Sequence, residues 1–442
     1  MMRWRVARRP PAWRMVLGGA VGALVLAATA LRGEGGPAPA ALEEKPVRSL
    51  GVVTWDATIN GDATRIAFVR KEGQRSRFIL DGKEQTPYDF LWDRGFSPDG
   101  KRFAYLATRA GVGVFVCDGQ EKPGHRAFSF SADSKHVAYW TLRTDGDDGA
   151  MLLCDQKPLA LDVTHVYFGS KPVFSPDGKH LAWFCGGSGK ARIVVDGKAG
   201  PDAAAVKDPV FSPDGRRLAY AFCQAGRWFV LCGKEQAGPL GDVGALAFSP
   251  DGKLTFPAQL GNAGWFILSG GKKEPTFDEV SDPVFSHDGR RMAYGAKDKG
   301  KWSLVCGEKQ PGAYDAIDTL SFSLDGGHLA FRAKRGEKFL VVCDGRETAP
   351  FDDVVWLGFS PDGRHLAAVV RTPGGYVMLC DGISGPPHAK VLVPGRFDDL
   401  AGKLRYIAMD RAKDSPDLDA SLVEVDWPKG RTWEDAFKPE AK

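Results

Sequence analysis

From about residue 48 onward the chain alternates apolar and polar positions in short runs, each broken by a glycine-containing turn. Alternation with period two is the mark of strands that bury one face. One phrase organises the pattern. It reads FSPDGKRFAY from Phe96, FSADSKHVAY from Phe130, FSPDGKHLAW from Phe174 and FSPDGRRLAY from Phe211. It continues as FSPDGKLTF from Phe248, FSHDGRRMAY from Phe285, FSLDGGHLAF from Phe322 and FSPDGRHLAA from Phe359. A degenerate copy starts at Ile59 and another near Phe397. From Phe174 to Phe359 the spacing is a constant 37 residues. A fixed period of this length signals a stacked repeat, because one unit is too small to bury its own apolar faces.

Each unit predicts four strands. The first ends at the anchor phenylalanine, as in DPVFSPDG (208–215). Ser-Pro-Asp-Gly then makes a tight turn, with proline pre-setting φ and glycine taking the left-handed position. The LAY phrase is the second strand. The third alternates strictly, as in KFLVVCDG (338–345), and its Asp-Gly suits a two-residue hairpin. The fourth is short and leads to a Tyr-Asp or Phe-Asp pair, as at Tyr88-Asp89 and Phe351-Asp352. Four strands in 37 residues is the size of one propeller blade.

The buried positions explain why units need one another. Alanine recurs in the second strand at Ala67, Ala104, Ala138, Ala182, Ala219, Ala293, Ala330 and Ala367, where sheets are expected to approach closely. In the third strand Trp228, Trp265, Trp302, Phe339 and Tyr376 share a face with Cys232, Ser269, Cys306, Cys343 and Cys380. The opposite face carries Phe229, Phe266 and Leu340. A strand apolar on both faces belongs in a sheet packed between two others.

The phrase FSPDG(K/R)-x-(L/M/F)-A-(Y/W/F) resembles the TolB-type β-propeller repeat, a WD-like blade found in periplasmic TolB and beside the catalytic domain of prolyl oligopeptidases. The resemblance covers roughly residues 48–427 and implies an all-β fold. It implies no single function, since members use the scaffold differently. The expectation is one ring of about ten four-stranded units over 48–427, with a tail at 428–442. Eight or nine closed blades with irregular ends is the alternative, because ten exceeds the usual range.

Charge changes the picture at the N-terminus. The net charge of +4 is owed to Arg3, Arg5, Arg8, Arg9 and Arg14, and the remainder is nearly neutral. A nucleic-acid partner is therefore not expected. The basic stretch precedes an apolar run, Met15–Leu31, with a small-x-small site at Ala28-Thr29-Ala30. Residues 1–30 read as an export signal, either cleaved or kept as a membrane anchor. Residues 31–47 read as a flexible linker. The expected location is the periplasm or the cell surface.

Candidate chemistry is sparse. Cys117, Cys154, Cys232, Cys306, Cys343 and Cys380 occupy one blade position, and neighbouring sheets stand about 10 Å apart. A disulfide needs Cα atoms within roughly 7 Å, so these read as buried small hydrophobes, with Cys185 and Cys223 the one pair worth testing. His136, His180, His328 and His365 share a position with Arg65, Arg102, Arg217 and Arg291, just past the SPDG turn. This basic ring reads as a solvated edge neutralised by the turn aspartates, or else as a rim for an anionic glycan or acidic partner. No metal or other cofactor is expected, and no G-x-S-x-G, P-loop or H-E-x-x-H motif occurs.

The functional expectation is a non-catalytic binding scaffold of the envelope, monomeric, with a protein or glycan partner. The alternative is a propeller enzyme, a glycan lyase or hydrolase, with its site at the central channel. The spacing departs to 44 residues between Phe130 and Phe174. Insertions in repeat proteins map to loops that carry binding. Asp147, Asp148, His165 and Tyr167, in that stretch, are the expected partner-binding residues.

Overall fold

Period-two alternation produces ten antiparallel sheets, nine of them meanders of strands in chain order. The structure is a computed structural model of the 442-residue chain. It describes residues 42–442 apart from 54–56, 62–63, 125, 143–149, 160–167, 170, 188–189, 262–263, 310–313, 393–402, 412–417 and 438–442. Blade 2 is representative: Phe90–Phe96, Phe103–Arg109, Val112–Cys117 and Gln120–Pro123 pair in that order. Blade 1 spans 57–84, blade 3 128–158, blade 4 168–199, blade 5 205–240 and blade 6 242–273. Blades 7, 8 and 9 span 279–309, 316–347 and 353–388.

Blade 10 is assembled from both ends of the fold. Lys390–Leu392, Lys403–Arg411 and Leu418–Asp426 supply three strands, and Glu44–Val53 pairs antiparallel on the last of them. The first strand thus starts at Glu44 rather than at residue 48, and the end of the stretch read as linker lies in a sheet. Ile66, Phe68 and Ile79 of blade 1 pack on Ile407, Met409, Leu418 and Ala420 of blade 10. Ala367, Val369, Met378 and Cys380 of blade 9 pack on its other face. The ring of ten blades is therefore closed, and the count of eight or nine does not apply. The final segment adds a 3-10 turn, Trp433–Phe437, whose Trp433 is buried against the junction of blades 8 and 9.

The repeated alanines lie in the tightest part of the core, and all eight are fully buried. Five sit directly opposite a cysteine of the third strand: Ala104–Cys117, Ala138–Cys154, Ala219–Cys232, Ala330–Cys343 and Ala367–Cys380. Two small side chains facing each other let adjacent sheets approach. All eight cysteines are free thiols, Cys185 and Cys223 included. Burial pushes the Cys154 thiol up to about 11 and Cys117 to about 12.

The SPDG turns are built alike. At the turn from Ser175, the Ser175 hydroxyl accepts from His180 N at 2.9 Å and donates to Asp177 Oδ1 at 2.6 Å. Lys179 N donates to the same carboxylate oxygen at 3.2 Å. These bonds hold the Asp177 carboxyl down at about 2. Gly363, at the same place in blade 9, has φ +71°, and a Cβ there would meet Asp325 Oδ1 of blade 8 at 3.2 Å. Glycine is needed twice over, for the left-handed turn and for turn-on-turn packing around the ring.

Candidate functional site

The basic ring is where recurrence in sequence most suggested a binding rim. Its charges are occupied. Arg65 Nε lies 2.8 Å from Asp81 Oδ2, and Arg102 Nε 3.0 Å from Asp118 Oδ2. His136, His180, His328 and His365 pair in the same way with Asp155, Asp196, Asp344 and Asp381, at 2.5–2.8 Å. The partner is the aspartate of the hairpin between the third and fourth strands, not that of the SPDG turn. Neutralisation by the turn aspartates holds instead for the adjoining residues of the ring, Lys101, Lys179 and Arg290, which lie 4.0, 3.3 and 3.6 Å from Asp99, Asp177 and Asp288. The reason is topological: both turns emerge at the same end of the blade, so the hairpin carboxylate reaches the start of the second strand.

The arginines also bridge blades. Arg65 donates to Gly100 O at 3.2 Å and to Lys101 O, and its guanidinium lies 5.3 Å from the Phe96 ring centre. Arg291 donates to Gly326 O and Gly327 O at 2.8 and 2.7 Å and stacks on Phe322. Arg217 reaches Gly252 O and Phe248 in the same fashion. Each arginine clips its blade to the SPDG turn of the next.

The first strands of neighbouring blades pack directly on one another, for example Ala316–Phe322 on Asp353–Phe359, which places them at the ring's centre. In six blades this strand is interrupted two to four residues before the anchor phenylalanine. The register shifts there in blades 2, 8 and 9, and pairing lapses in blades 5 to 7, as between Val206 and Val210. Such bulges re-aim side chains. Lys171, Asp208, Ala245, Asp282 and Thr319 are accordingly exposed, although Val243, Leu246, Ile317 and Leu357 beside them are buried. Lys207 pairs with Asp242 at 3.2 Å, and Arg332 with Asp353 at 2.8 Å, each across a blade junction. Among the described residues the Asp208 and Asp282 carboxylates have no partner. Partial burial raises the carboxyls of Asp208 and Asp93, the latter against the opposing charge of Lys171. The inner strands thus carry carboxylates from several blades and no histidine among the described residues.

Asp147, Asp148, His165 and Tyr167 lie outside the described residues. Two adjacent cavities of about 270 and 220 Å³ open between blades 2 and 3. Both are lined by Lys122, Tyr139 and Gln156. The larger adds Pro123, Thr141, Leu142, Met151 and Leu153, and is mostly apolar. The smaller adds Arg102, Asp118, Gln120, Lys135 and Asp155, and is mostly polar. Phe115 of blade 2 stacks on Tyr139 of blade 3 at 4.2 Å across the same junction. The aromatic series of blades 5 to 9 gives way to Ser76, Gly113, Ala150 and Ala191 in blades 1 to 4, so that series does not single out this junction.

Gln156, which lines both cavities, stands apart from its counterparts in other blades. Five other blades turn from third to fourth strand through Asp-Gly, with both residues at positive φ, as at Asp118-Gly119. Blade 3 uses Asp155-Gln156, and Gln156 keeps φ at 68°. A left-handed conformation costs a non-glycine residue about 1 kcal/mol. Such strain is a pointer to function where it persists.

No known protein-family model matches the chain, and no curated protein matches it. Among solved structures it is similar to the β-propeller domain of the trilobed protease from Pyrococcus furiosus, with 15% identity, 67% of this chain and 96% of that chain covered, and a TM-score of 0.32. TolB from Acinetobacter baumannii matches at 14% identity, 69% and 84% coverage and a TM-score of 0.27. A prolyl endopeptidase matches at 15% identity, 66% and 55% coverage and a TM-score of 0.34. The assignment of the fold stands on the ten sheets and the strand that closes them, not on these likenesses.

Proposed function

We propose that this protein is an exported, non-catalytic binding propeller of the TolB-type repeat, which holds an envelope protein or glycan at blade 3. The observation that carries the reading is the division of labour among polar groups. The recurring aspartates, arginines and histidines are engaged in turns and blade clips, whereas uncommitted polar groups gather with open volume at the junction of blades 2 and 3. In the sequence, Asp147 and Asp148 fall between the second and third strands of blade 3, and His165 and Tyr167 between blades 3 and 4. The test immobilises the wild type and a variant with 141–150 shortened, and compares by mass spectrometry what each retains from envelope extract. Loss of a reproducible partner in a normally folded variant is expected. Identical capture by both would sink the reading.

A second reading, a glycan lyase or hydrolase, is favoured by one observation. Asp208 and Asp282 present unpaired carboxylates at the bulges of blades 5 and 7, and the Asp208 carboxyl is raised, as suits a general acid. Turnover of an envelope glycan that disappears in Asp208→Asn would establish it.

A further inference from the structure

We propose that the cleft between blades 2 and 3 binds a small amphipathic organic anion, with its acidic head at Lys122 and its apolar body along Leu142, Met151 and Leu153. This rests on the reading of the protein as a binding propeller and names the ligand class of the blade 3 junction.

Charge complementarity carries the argument. Two carboxylates line the polar lobe, and both are spent. Asp118 holds Arg102 and accepts from Phe103 N at 3.0 Å, and Asp155 holds His136 and accepts from Val137 N at 3.0 Å. Arg102 is spent in turn, on Asp118 and on the Lys135 carbonyl at 3.3 Å. Lys135 lies 3.8 Å from Asp133. What remains uncommitted among the described residues is the half-buried Lys122 ammonium, the amides of Gln120 and Gln156 and the Tyr139 hydroxyl. Among the described residues the cleft thus offers the Lys122 ammonium and neutral donors but no unpaired carboxylate, which selects a negative head group.

The apolar lobe sets the rest of the ligand. Its 270 Å³ opens beside Lys122, and Leu142 at its mouth is 52% exposed. Together the lobes fall within the size range of small-molecule sites, which are mostly apolar with a few placed polar groups. A carboxylate or sulfonate on a compact hydrocarbon body fits this division. An uncharged body lacks a partner for Lys122. A multiply charged anion without such a body leaves the apolar lobe unfilled.

The test is a fluorescence titration of the purified full chain with 8-anilinonaphthalene-1-sulfonate, followed by displacement with octanoate and with octanol. Saturable binding is expected, with octanoate displacing at least about tenfold better than octanol. Lys122→Glu is expected to weaken the probe by about tenfold or more with unchanged circular dichroism. Met151→Trp, which puts a bulky ring on the wall of the apolar lobe, is expected to abolish binding by filling the cleft. Should that variant not fold, Lys122→Glu on the cleft wall decides alone. Equal binding by Lys122→Glu, or equal displacement by octanol, overturns the proposal. No envelope partner enters the titration, so its failure is distinct from failure of partner capture.

Discussion

At Gln156 a single side chain separates stability from use. Its backbone occupies the left-handed region that glycine occupies in five sister hairpins, and its amide lines both lobes of the cleft. Gln156→Gly keeps the turn and removes the strain, so the variant should be more stable by about 1 kcal/mol, less the extra freedom glycine gives the unfolded chain. Chemical denaturation would show a raised midpoint at constant slope. A midpoint below that of the wild type would mean that the amide contributes to the fold. The same hairpins neutralise the arginines and histidines of the basic ring, whose partner stands sixteen residues on, at Asp118 for Arg102 and at Asp344 for His328.

At the scale of the element, the facing pair of second and third strands is the unit of packing. Five blades place alanine opposite cysteine, and blade 6 replaces both at once. There Thr255, fully buried, faces Ser269, and the two hydroxyls lie 2.8 Å apart. Hydroxyls are tolerated in that core because each satisfies the other. Ser269→Ala should therefore cost about 1–3 kcal/mol, by leaving the Thr255 hydroxyl buried without a partner. Thr255→Ala added to it should recover most of that loss, since apolar groups then face each other as in the sister blades. A double-mutant cycle by urea denaturation measures this. Additive losses would show that the pair does not act as a unit.

At the scale of the whole molecule, closure depends on one seam. The strand Glu44–Val53 brings Glu44 to His388, whose Nε2 lies 2.9 Å from Glu44 Oε2 and whose Nδ1 lies 3.0 Å from Asp410 Oδ2. Tyr406 donates to the other oxygen of Glu44, Tyr376 faces His388 across the strand pair, Lys390 stands two residues on, and Cys380 lies near Glu44. Burial alone would lower the His388 pKa, but the bonds to Glu44 and Asp410 outweigh it and leave the value raised above 6.5. A folded pKa above the unfolded one stabilises most below the unfolded value and loses its contribution as pH rises through the folded value. The seam should therefore be firmest in mild acid. The melting temperature of the wild type should exceed that of His388→Asn most at about pH 6, and the gap should narrow toward about pH 9. A gap that is constant or grows with pH would contradict a charged His388 at the seam.

What the sequence determined by itself is the blade. The 37-residue period, the four strands, the Ser-Pro-Asp-Gly and Asp-Gly turns and the fully buried alanines are all local in chain position, and alternation and turn chemistry reach no further than a few residues. What the tertiary structure decided is how blades meet. Closure by Glu44–Val53 joins residues more than three hundred positions apart, as at Glu44 and His388, and no periodicity within a unit records such a pairing. The clip from Arg65 to the next turn and the bulges that expose Asp208 and Asp282 also become visible only once neighbouring sheets are side by side. The cleft belongs with these, since Lys122 of blade 2 and Tyr139 and Met151 of blade 3 line it together only once the two sheets meet.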